Sequence, residues 1–304
     1  MCDNSDCGSL YKKVAGVRAN QWENGRASEE AVMASEGSQT RMVGSLACLM
    51  VLLAPGLAQN FTQFAHDYAP YLRFDQKEGD SNLCFPQDAA EYYGARMVGD
   101  WGRKCNTDYN SLVNGDVPTY WHAQTCGYHL HIAYWNFYGY NHDCDCCSGE
   151  RNAWWEFIVI KVRDWELLPH LHEVRFGQKW GWYTRIPGHY ETYDTTHPVA
   201  YVGKTNHGTY HDDGGTGICC YYEDFRNTGS ANKNLKTWMN LVELQEEGGE
   251  DWMSDPGTDL WSGIQVPTFR SDWDLCNLTG CTGSILQLCG TCGCHKSDTG
   301  DDHF

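Results

Sequence analysis

The stretch His129–Val162, HLHIAYWNFYGYNHDCDCCSGERNAWWEFIVIKV, decides the fold of this chain. Two apolar segments rich in aromatic and β-branched residues flank a polar loop, His142–Arg151, and such residues favour β-strands. The loop carries three acidic residues, one histidine and three cysteines. The stretch therefore predicts two buried strands whose connection is cross-linked, binds a ligand, or both.

The segment after the loop shows which residues share a face of the predicted strand, a property we call its parity. Successive side chains of a strand point to opposite faces. Trp154, Glu156 and Ile158 therefore share one face, and Trp155 and Phe157 share the other. This places a carboxylate near the start of a mostly buried strand. The alternative is that the carboxylate lies at an exposed strand end or pairs with a nearby arginine.

Composition limits the class of protein. The chain has 304 residues, 41% of them apolar and 13% aromatic, with 32 glycines. This length suits one large domain or two small ones. The net charge of −18 argues against nucleic-acid binding, which depends on cations that neutralise phosphates. It also argues against simple electrostatic adsorption to an anionic membrane, and it allows either cation binding or mere solubility.

Short strand-like segments separated by turns predict an all-β fold with minor α content, a β-sandwich, over residues 59–275. The segment 85–97 predicts a short helix that Asp88 caps, with Glu91 three residues further on. Residues 100–117 read as turns, and 234–244 is ambiguous between helix and strand.

The first 58 residues indicate export. Residues 1–41 are polar and without periodicity, and we expect a disordered extension. Residues 42–58 have the form of a secretory signal, with a basic flank, a short apolar core and a small-residue end. The true start is then Met1 or Met42, and the alternative is a buried helix. Secretion would expose two sequons, at Asn60 and Asn277, to glycosylation.

Sixteen cysteines suit an oxidising compartment, and the fold is expected to be disulfide-rich. Cleavage after Ala58 would leave 13, an odd number, so one would be free, intermolecular or metal-bound. The tail 276–304 is cysteine-rich and could also form a zinc site with His295, but disulfides are favoured. The disulfide candidates are Cys84, Cys105, Cys126, Cys144, Cys146, Cys147, Cys219, Cys220, Cys276, Cys281, Cys289, Cys292 and Cys294.

Several segments together resemble a known family. They are APYLRFD (69–75), YWNFYGYN (134–141), WWEFIVIKV (154–162) and HPVAYVGKTNHGTY (197–210). The last is similar to the family segment H-P-V-V-Y-V-x-x-x-S-H-x-x-Y. The pattern resembles the Vps-sixty-two-like vacuolar protein sorting-associated family, which is related to the necrosis- and ethylene-inducing-like proteins with their heptapeptide G-H-R-H-D-W-E. The resemblance covers about residues 68–225.

The resemblance implies a β-sandwich. In its cytolytic branch it implies a secreted protein that binds a divalent cation beside the heptapeptide, recognises sphingolipid sugars and damages membranes. Trp155 and Glu156 match D-W-E, but Trp154 stands at the Asp position and Arg151 at the first His. Loss of one carboxylate weakens a hard-metal site.

Other acidic and imidazole side chains are candidates to replace the missing ligand of Ca²⁺ or Mg²⁺. His142 and His211 are alternatives. The predicted metal set is Asp143, Asp145, Glu156 and His207.

No G-x-S-x-G, H-E-x-x-H or P-loop motif is present, and we expect no enzyme. The sequence therefore predicts a secreted protein that binds glycans or glycolipids at membrane surfaces. Cytolytic activity and dependence on a cation are further parts of this expectation. The alternative is a secreted acidic structural or matrix protein without catalytic activity.

Overall fold

The computed structural model describes residues 61–74, 84–102, 105, 107–141, 151–178, 181–203, 207–213, 234–246 and 249–278. All of them belong to the compact unit Gln59–Phe304. Several sequence predictions concern residues outside this described set: the extension 1–41, the signal 42–58, Asn60, the loop 142–150, the segment 218–225 and the cysteines Cys144, Cys146, Cys147, Cys219, Cys220, Cys281, Cys289, Cys292 and Cys294.

Eleven strands and three α-helices are found in the described ranges. The helices are α1 (Phe61–Tyr68), α2 (Ala89–Met97) and α3 (Tyr109–Asn114). The strands are β1 (Tyr71–Phe74), β2 (Thr119–Cys126), β3 (His129–Asn141), β4 (Arg151–Arg163), β5 (His170–Gln178), β6 (Gly181–Arg185), β7 (Thr192–Tyr193), β8 (His197–Val202), β9 (Thr209–Tyr210), β10 (Asn234–Lys236) and β11 (Leu241–Glu243).

The strands form two sheets. The larger sheet has six strands in the order β11-β2-β3-β4-β5-β6, antiparallel except for the parallel pair β11–β2. The smaller sheet has the order β10-β1-β8-β7, and β9 also pairs with β8. Its β1–β8 pair is parallel. The two longest strands, β3 and β4, lie at the centre of the larger sheet, as the sequence stretch His129–Val162 predicts.

The inner face of the six-stranded sheet packs against the smaller sheet. Tyr134, Ile158 and Ile160 from the larger sheet share one core with Leu72 and Val199 from the smaller sheet. All five are buried. The predicted all-β sandwich is therefore confirmed, and the predicted parity of β4 is confirmed with it.

The outer face of the six-stranded sheet is covered by a different kind of structure. Trp135, Trp155 and Phe157 pack there against helix α2 and against residues 249–278, which we call the C-terminal cover. The cover contains four 3-10 helices: Asp251–Ser254, Asp259–Trp261, Pro267–Phe269 and Ser271–Trp273. Because both faces of the sheet are covered, β3 and β4 are apolar along most of their length rather than alternating.

Polar side chains fasten the cover to β2 and β3. His122 Nε2 lies 3.0 Å from the carbonyl oxygen of Trp273, and its ring stacks on the Trp273 ring at 3.6 Å between centroids. His131 Nδ1 lies 2.8 Å from the carbonyl oxygen of Leu275. Gln124 accepts a hydrogen bond from the Leu275 N–H at 2.7 Å. These contacts satisfy backbone groups that a strand ladder would otherwise satisfy.

Two disulfides pair four of the candidate cysteines. Cys126, at the end of β2, bonds to Cys276 in the C-terminal cover across 150 residues. Cys84 bonds to Cys105 across 21 residues. The first bond ties the cover to the sheet edge, next to the histidine contacts. It therefore also joins the first residue of the predicted tail 276–304 to the sandwich.

The two predictions for residues 85–117 differ in outcome. Helix α2 begins where expected, and the Asp88 side chain accepts from the backbone N–H of Ala90 and Glu91. The predicted turn region 100–117 contains helix α3, which Asp108 caps by accepting from the Ser111 N–H. The sequence did not indicate this helix, because six residues have too few positions to show a period.

The ambiguous segment 234–244 contains both kinds of structure: β10, a 3-10 helix at Thr237–Met239, and β11. Helix α1 precedes the first predicted strand and was not expected. No α-helix in the described ranges is long and apolar enough to cross a membrane.

Candidate functional site

Glu156 lies on the inner face of the sandwich, near the middle of β4. It stands opposite Asn136 of β3 in the strand ladder. The side chain is 2% exposed, and Trp154 Nε1 donates a hydrogen bond of 2.6 Å to Glu156 Oε1. The indole and the carboxylate meet because residues two apart on a strand share a face. The structure thus rules out an exposed strand end: the carboxylate is buried, bonds to an indole, and interacts electrostatically with the guanidinium of Arg270.

The alternation of β4 is interrupted just before this pair. Ala153 has φ of 66°, and the β3–β4 ladder contains no pairing for this residue. Positive φ is uncommon for a residue with a Cβ and costs about 1 kcal/mol or more. Two residues earlier, the guanidinium of Arg151 lies over the Trp154 ring at 5.6 Å. The local distortion thus allows the Glu156 carboxylate, the Trp154 indole and the Arg151 guanidinium to form a row that ends at the first residue of β4.

Two aromatic rings complete this arrangement. Tyr138 of β3 lies opposite Trp154 in the ladder. The His207 imidazole stacks on the Tyr138 ring with 4.0 Å between centroids and an interplanar angle of 13°. His207 is buried and has φ of 58°. We call the five residues Tyr138, Arg151, Trp154, Glu156 and His207 the Glu156 site.

Backbone strain and buried charge coincide at the Glu156 site. Ala153 and His207 are both non-glycine residues in the left-handed region; Ala153 precedes Trp154 in the sequence, and His207 stacks on Tyr138. Strained backbone persists only where the surrounding structure enforces it, and it is concentrated at functional sites. An ionised carboxylate in an apolar core also requires compensation. The arrangement is therefore suited to holding polar groups of a ligand in a fixed orientation beside aromatic rings.

Two members of the predicted metal set each contact one residue of the Tyr138–Trp154 pair: Glu156 accepts from Trp154, and His207 stacks on Tyr138. Asp143 and Asp145 lie outside the described residues, as does His142, so their part in a metal site stays a prediction. His211 lies elsewhere, where its Nδ1 and the Tyr183 hydroxyl are 2.9 Å apart.

A hard-cation site needs more oxygen than these residues provide. Ca²⁺ takes six to eight oxygen ligands and Mg²⁺ takes six. Within the described ranges, no three histidine, cysteine, aspartate or glutamate side chains converge as a ligand set. The described residues therefore do not by themselves fit a calcium or magnesium ion.

The second sequon is accessible. Asn277 is exposed at the end of the C-terminal cover, and its Nδ2 donates a hydrogen bond of 2.7 Å to Asp274 Oδ2. A glycan on Asn277 would project from the outer face of the sandwich. Glycosylation at either Asn60 or Asn277 stays a prediction.

Sequence reasoning missed the aromatic partners of Glu156. The Tyr138–Trp154 pair joins β3 and β4, and Tyr138 is one of several aromatic residues in β3, so the sequence does not single it out. One signal was available: Trp154 lies two residues before Glu156, so parity alone places the indole N–H on the carboxylate's face. The position of His207 depends on a contact between the two sheets, which local sequence does not contain.

Comparison with known proteins gives limited results. No model of a known protein family matches this chain. No curated protein matches it either. The resemblance to the Vps-sixty-two-like family therefore has no support beyond the segments that suggested it.

Solved necrosis- and ethylene-inducing proteins are structurally similar at low identity. A triple mutant of NLPPya gives a TM-score of 0.45 and 16% identity, over 72% of this chain and 89% of that chain. NLPPya in complex with mannosamine gives the same four values. Necrosis and Ethylene inducing Protein 2, from the causal agent of cocoa's witches' broom disease, gives 0.41 and 15%, over 66% of this chain and 82% of that chain. The sandwich itself is defined by the two packed sheets described above.

Proposed function

We propose that this chain is a secreted β-sandwich protein that binds glycans, including glycolipid headgroups at membrane surfaces, through the Glu156 site. The observation that supports the proposal most strongly is the buried Glu156 carboxylate held by the Trp154 indole. A buried ion is seldom more stabilising than an apolar residue of similar size. We therefore assign this carboxylate to ligand binding, in addition to its electrostatic interaction with Arg270.

The chemistry of the Glu156 site suits sugars. A carboxylate accepts hydrogen bonds from hydroxyl groups, and aromatic rings present flat apolar faces with a polar edge. Small-molecule sites commonly combine an aromatic lining with a few oriented polar groups. Arg151 adds a cationic donor at the open end of the row. Binding, not catalysis, is proposed, because this row contains no nucleophile paired with a base.

Export is the second element of the proposal. It is supported by the signal-like segment 42–58 and by the disulfides Cys84–Cys105 and Cys126–Cys276. Structural disulfides persist mainly in oxidising compartments. The sandwich therefore acts outside the cell.

Cation dependence and membrane damage are two further parts of the proposed function. Glu156 is the carboxylate that would contribute to a Ca²⁺ or Mg²⁺ site, with Asp143 and Asp145 as the further oxygen ligands that the sequence offers. When bound, such a cation would bridge the protein to sugar hydroxyls. Both elements are separable from glycan binding by experiment.

The test is glycan-array binding of the wild type and the Glu156→Gln variant, repeated in calcium and in a chelator. Glutamine keeps the size and one acceptor oxygen for Trp154 Nε1, so the fold is retained. We expect binding to fall by about tenfold or more, since the acceptors for ligand hydroxyls are halved and uncharged. Leakage of vesicles that contain the selected glycolipid tests membrane damage.

The matched control is Glu243→Gln, which removes the same charge from an exposed position on β11. Equal glycan binding by both variants would reject the Glu156 site. Calcium uptake without selectivity for any glycan would instead support the alternative, an acidic structural or matrix protein.

A further inference from the structure

A second polar surface lies at the opposite end of β3 and β4, on the outer face of the larger sheet. It is an open pocket of about 500 Å³, lined by Tyr128, His129, Lys161, Arg163, Asp164 and His172. His129 and Arg163 are direct partners in the β3–β4 ladder. Arg163 is seven residues from Glu156, about 23 Å along the strand. The pocket is therefore separate from the Glu156 site.

A β-bulge directs His172 into this pocket. The β4–β5 register shifts between Lys161, which pairs with Glu173, and Val162, which pairs with Leu171. His172 is thus the extra residue on β5. Its ring lies 5.4 Å from the His129 ring between centroids. Bulges re-aim a side chain at the edge of functional sites, and this bulge places two imidazoles beside two cationic side chains.

The neighbouring carboxylates neutralise only part of the charge, because Lys161, Arg163 and Arg175 are three cations against two carboxylates. Arg175 forms an ion pair with Glu173, with 2.9 Å between Arg175 Nη2 and Glu173 Oε1. Lys161 Nζ lies 3.8 Å from Glu173 Oε2. Asp164 lies 3.5 Å from Arg163 Nε at an exposed position. The pocket therefore keeps cationic donors that can serve an anion.

The pKa of His129 is consistent with a positive field in the pocket. It is lowered first by burial of the ring, and then by the charges of Lys161, His172 and Arg163. Glu173 acts in the opposite direction. An anion bound between these groups would raise the pKa of His129 again.

Exposed apolar side chains stand next to the pocket. Tyr128 is 83% exposed in the β2–β3 turn, and Leu167 and Leu168 are 91% and 75% exposed in the β4–β5 loop. The Asp164 N–H donates a hydrogen bond of 3.1 Å to the Tyr128 carbonyl, which joins the two loops. Trp165 anchors the β4–β5 loop from below by packing against Phe61 of helix α1 at 5.6 Å.

We infer that this end of the sandwich binds the surface of a bilayer that carries anionic phosphate headgroups. Lys161, Arg163 and the two imidazoles hold the phosphate, while Leu167 and Leu168 enter the interfacial layer of the membrane. Apolar loop tips beside cationic donors are the two components from which interfacial binding is built. Tyr128, an aromatic ring with a polar tip, suits the boundary between water and lipid.

A bilayer accounts for this surface better than a sulfated glycan does. Sugars stack on aromatic rings, whereas two adjacent exposed leucines offer no such platform. The net charge of −18 excludes attraction of the whole molecule to an anionic surface. Asp164 and Glu173, which pair with Arg163 and Lys161, also limit the positive field of the pocket. Binding must therefore depend on local phosphate contacts together with leucine insertion.

The experiment measures sedimentation of the full chain with phosphatidylcholine vesicles that contain or lack phosphatidic acid. We expect binding only to the vesicles with phosphatidic acid. The pair of changes Lys161→Gln and Arg163→Gln should weaken it about tenfold or more. The pair Leu167→Ser and Leu168→Ser should weaken it by a similar factor. Inorganic phosphate, followed by the NMR shift of His129, reports occupation of the pocket in the absence of lipid.

Matched controls are Lys236→Gln and Val98→Ser, which remove a cation and an exposed apolar side chain elsewhere on the surface and should leave vesicle binding unchanged. Equal binding to both kinds of vesicle, or none to either, would overturn the inference. So would binding of dissolved heparin that persists in the leucine variant without vesicle binding. Because Glu156→Gln does not touch this pocket, failure here and failure of the glycan proposal are distinguishable.

Discussion

The two faces of the six-stranded sheet are buried by different means. The inner face is closed by a second sheet, whose central strands β1 and β8 lie in segments that the sequence marks as strand-like. The outer face is closed by the C-terminal cover, which contains short 3-10 helices fastened by His122, His131 and a disulfide. The comparison teaches that one strand pair can be equally buried on both sides although one side is closed by a regular sheet and the other by short helices held by histidine contacts and a disulfide.

The largest expected effect comes from the aromatic centre of the outer face. Trp261 is fully buried and packs on Trp155, Phe137 and Tyr92. Trp261→Ala should lower the free energy of unfolding by about 3–5 kcal/mol, because a large cavity is left in a packed core. Denaturant titration measures this value. The exposed Trp101→Ala is the matched control, with less than about 1 kcal/mol expected.

The next effect comes from the bond that holds the cover in place. Changing both Cys126 and Cys276 to Ser should lower the free energy of unfolding by about 2–4 kcal/mol, because the unfolded chain regains the freedom of a long loop. The Cys84–Cys105 bond closes a much shorter loop, so its removal should cost less. Equal losses in the two variants would contradict this view of the cover.

The histidine contacts predict a pH effect at the outer face, beside that of His197 in β8, whose pKa is also lowered by burial. Trp135 Nε1 donates to His122 Nδ1, so His122 Nε2 carries the proton and donates to Trp273. Burial lowers the pKa of His122 from 6.5 to about 4, against the opposing effect of its hydrogen bond to the Trp273 carbonyl. The pKa of His131 is lowered to about 4, mainly by the same cause.

Because the folded chain keeps these rings neutral, its stability is complete above about pH 6.5. The unfolded chain binds more protons between pH 6.5 and 4, so stability falls as the pH is lowered through this range. The loss for His122 is at most about 3 kcal/mol. Hydrogen exchange should show residues 249–278 losing protection before the centre of β4, which contains no histidine. Simultaneous loss in both regions would contradict the separate release of the cover.

A small effect is expected at the margin of the cover. Asn277→Gln removes the sequon and alters one exposed hydrogen bond to Asp274, so the free energy of unfolding should change by less than about 0.5 kcal/mol. The intact mass of secreted protein should fall by the mass of one glycan. An unchanged mass would show that Asn277 is not modified.

The sequence predicts structure correctly where a local pattern of residues is long enough to be recognised. The alternation of β4 places Trp154 and Ile158 inside and Trp155 and Phe157 outside, and the Asp88 cap follows from a three-residue spacing. Both features are local, so neighbouring residues are sufficient to indicate them.

The remaining features depend on contacts between distant parts of the chain. The cover has no repeating apolar pattern, because its 3-10 helices are three or four residues long. The stacking of His207 on Tyr138 joins the two sheets, and the bulge at His172 is set by pairing between strands. The pairing of Cys126 with Cys276 is one of very many that the cysteine count allows.

The central claim is that the inner face carries a carboxylate for a ligand and not for the fold. The most direct measurement compares Glu156→Gln with Glu243→Gln in both denaturant unfolding and titration with the glycan that the wild type prefers. We expect similar unfolding midpoints for the two variants, and glycan affinity at least about tenfold weaker for Glu156→Gln alone. Equal affinities, or a loss of folding specific to Glu156→Gln, would contradict the claim.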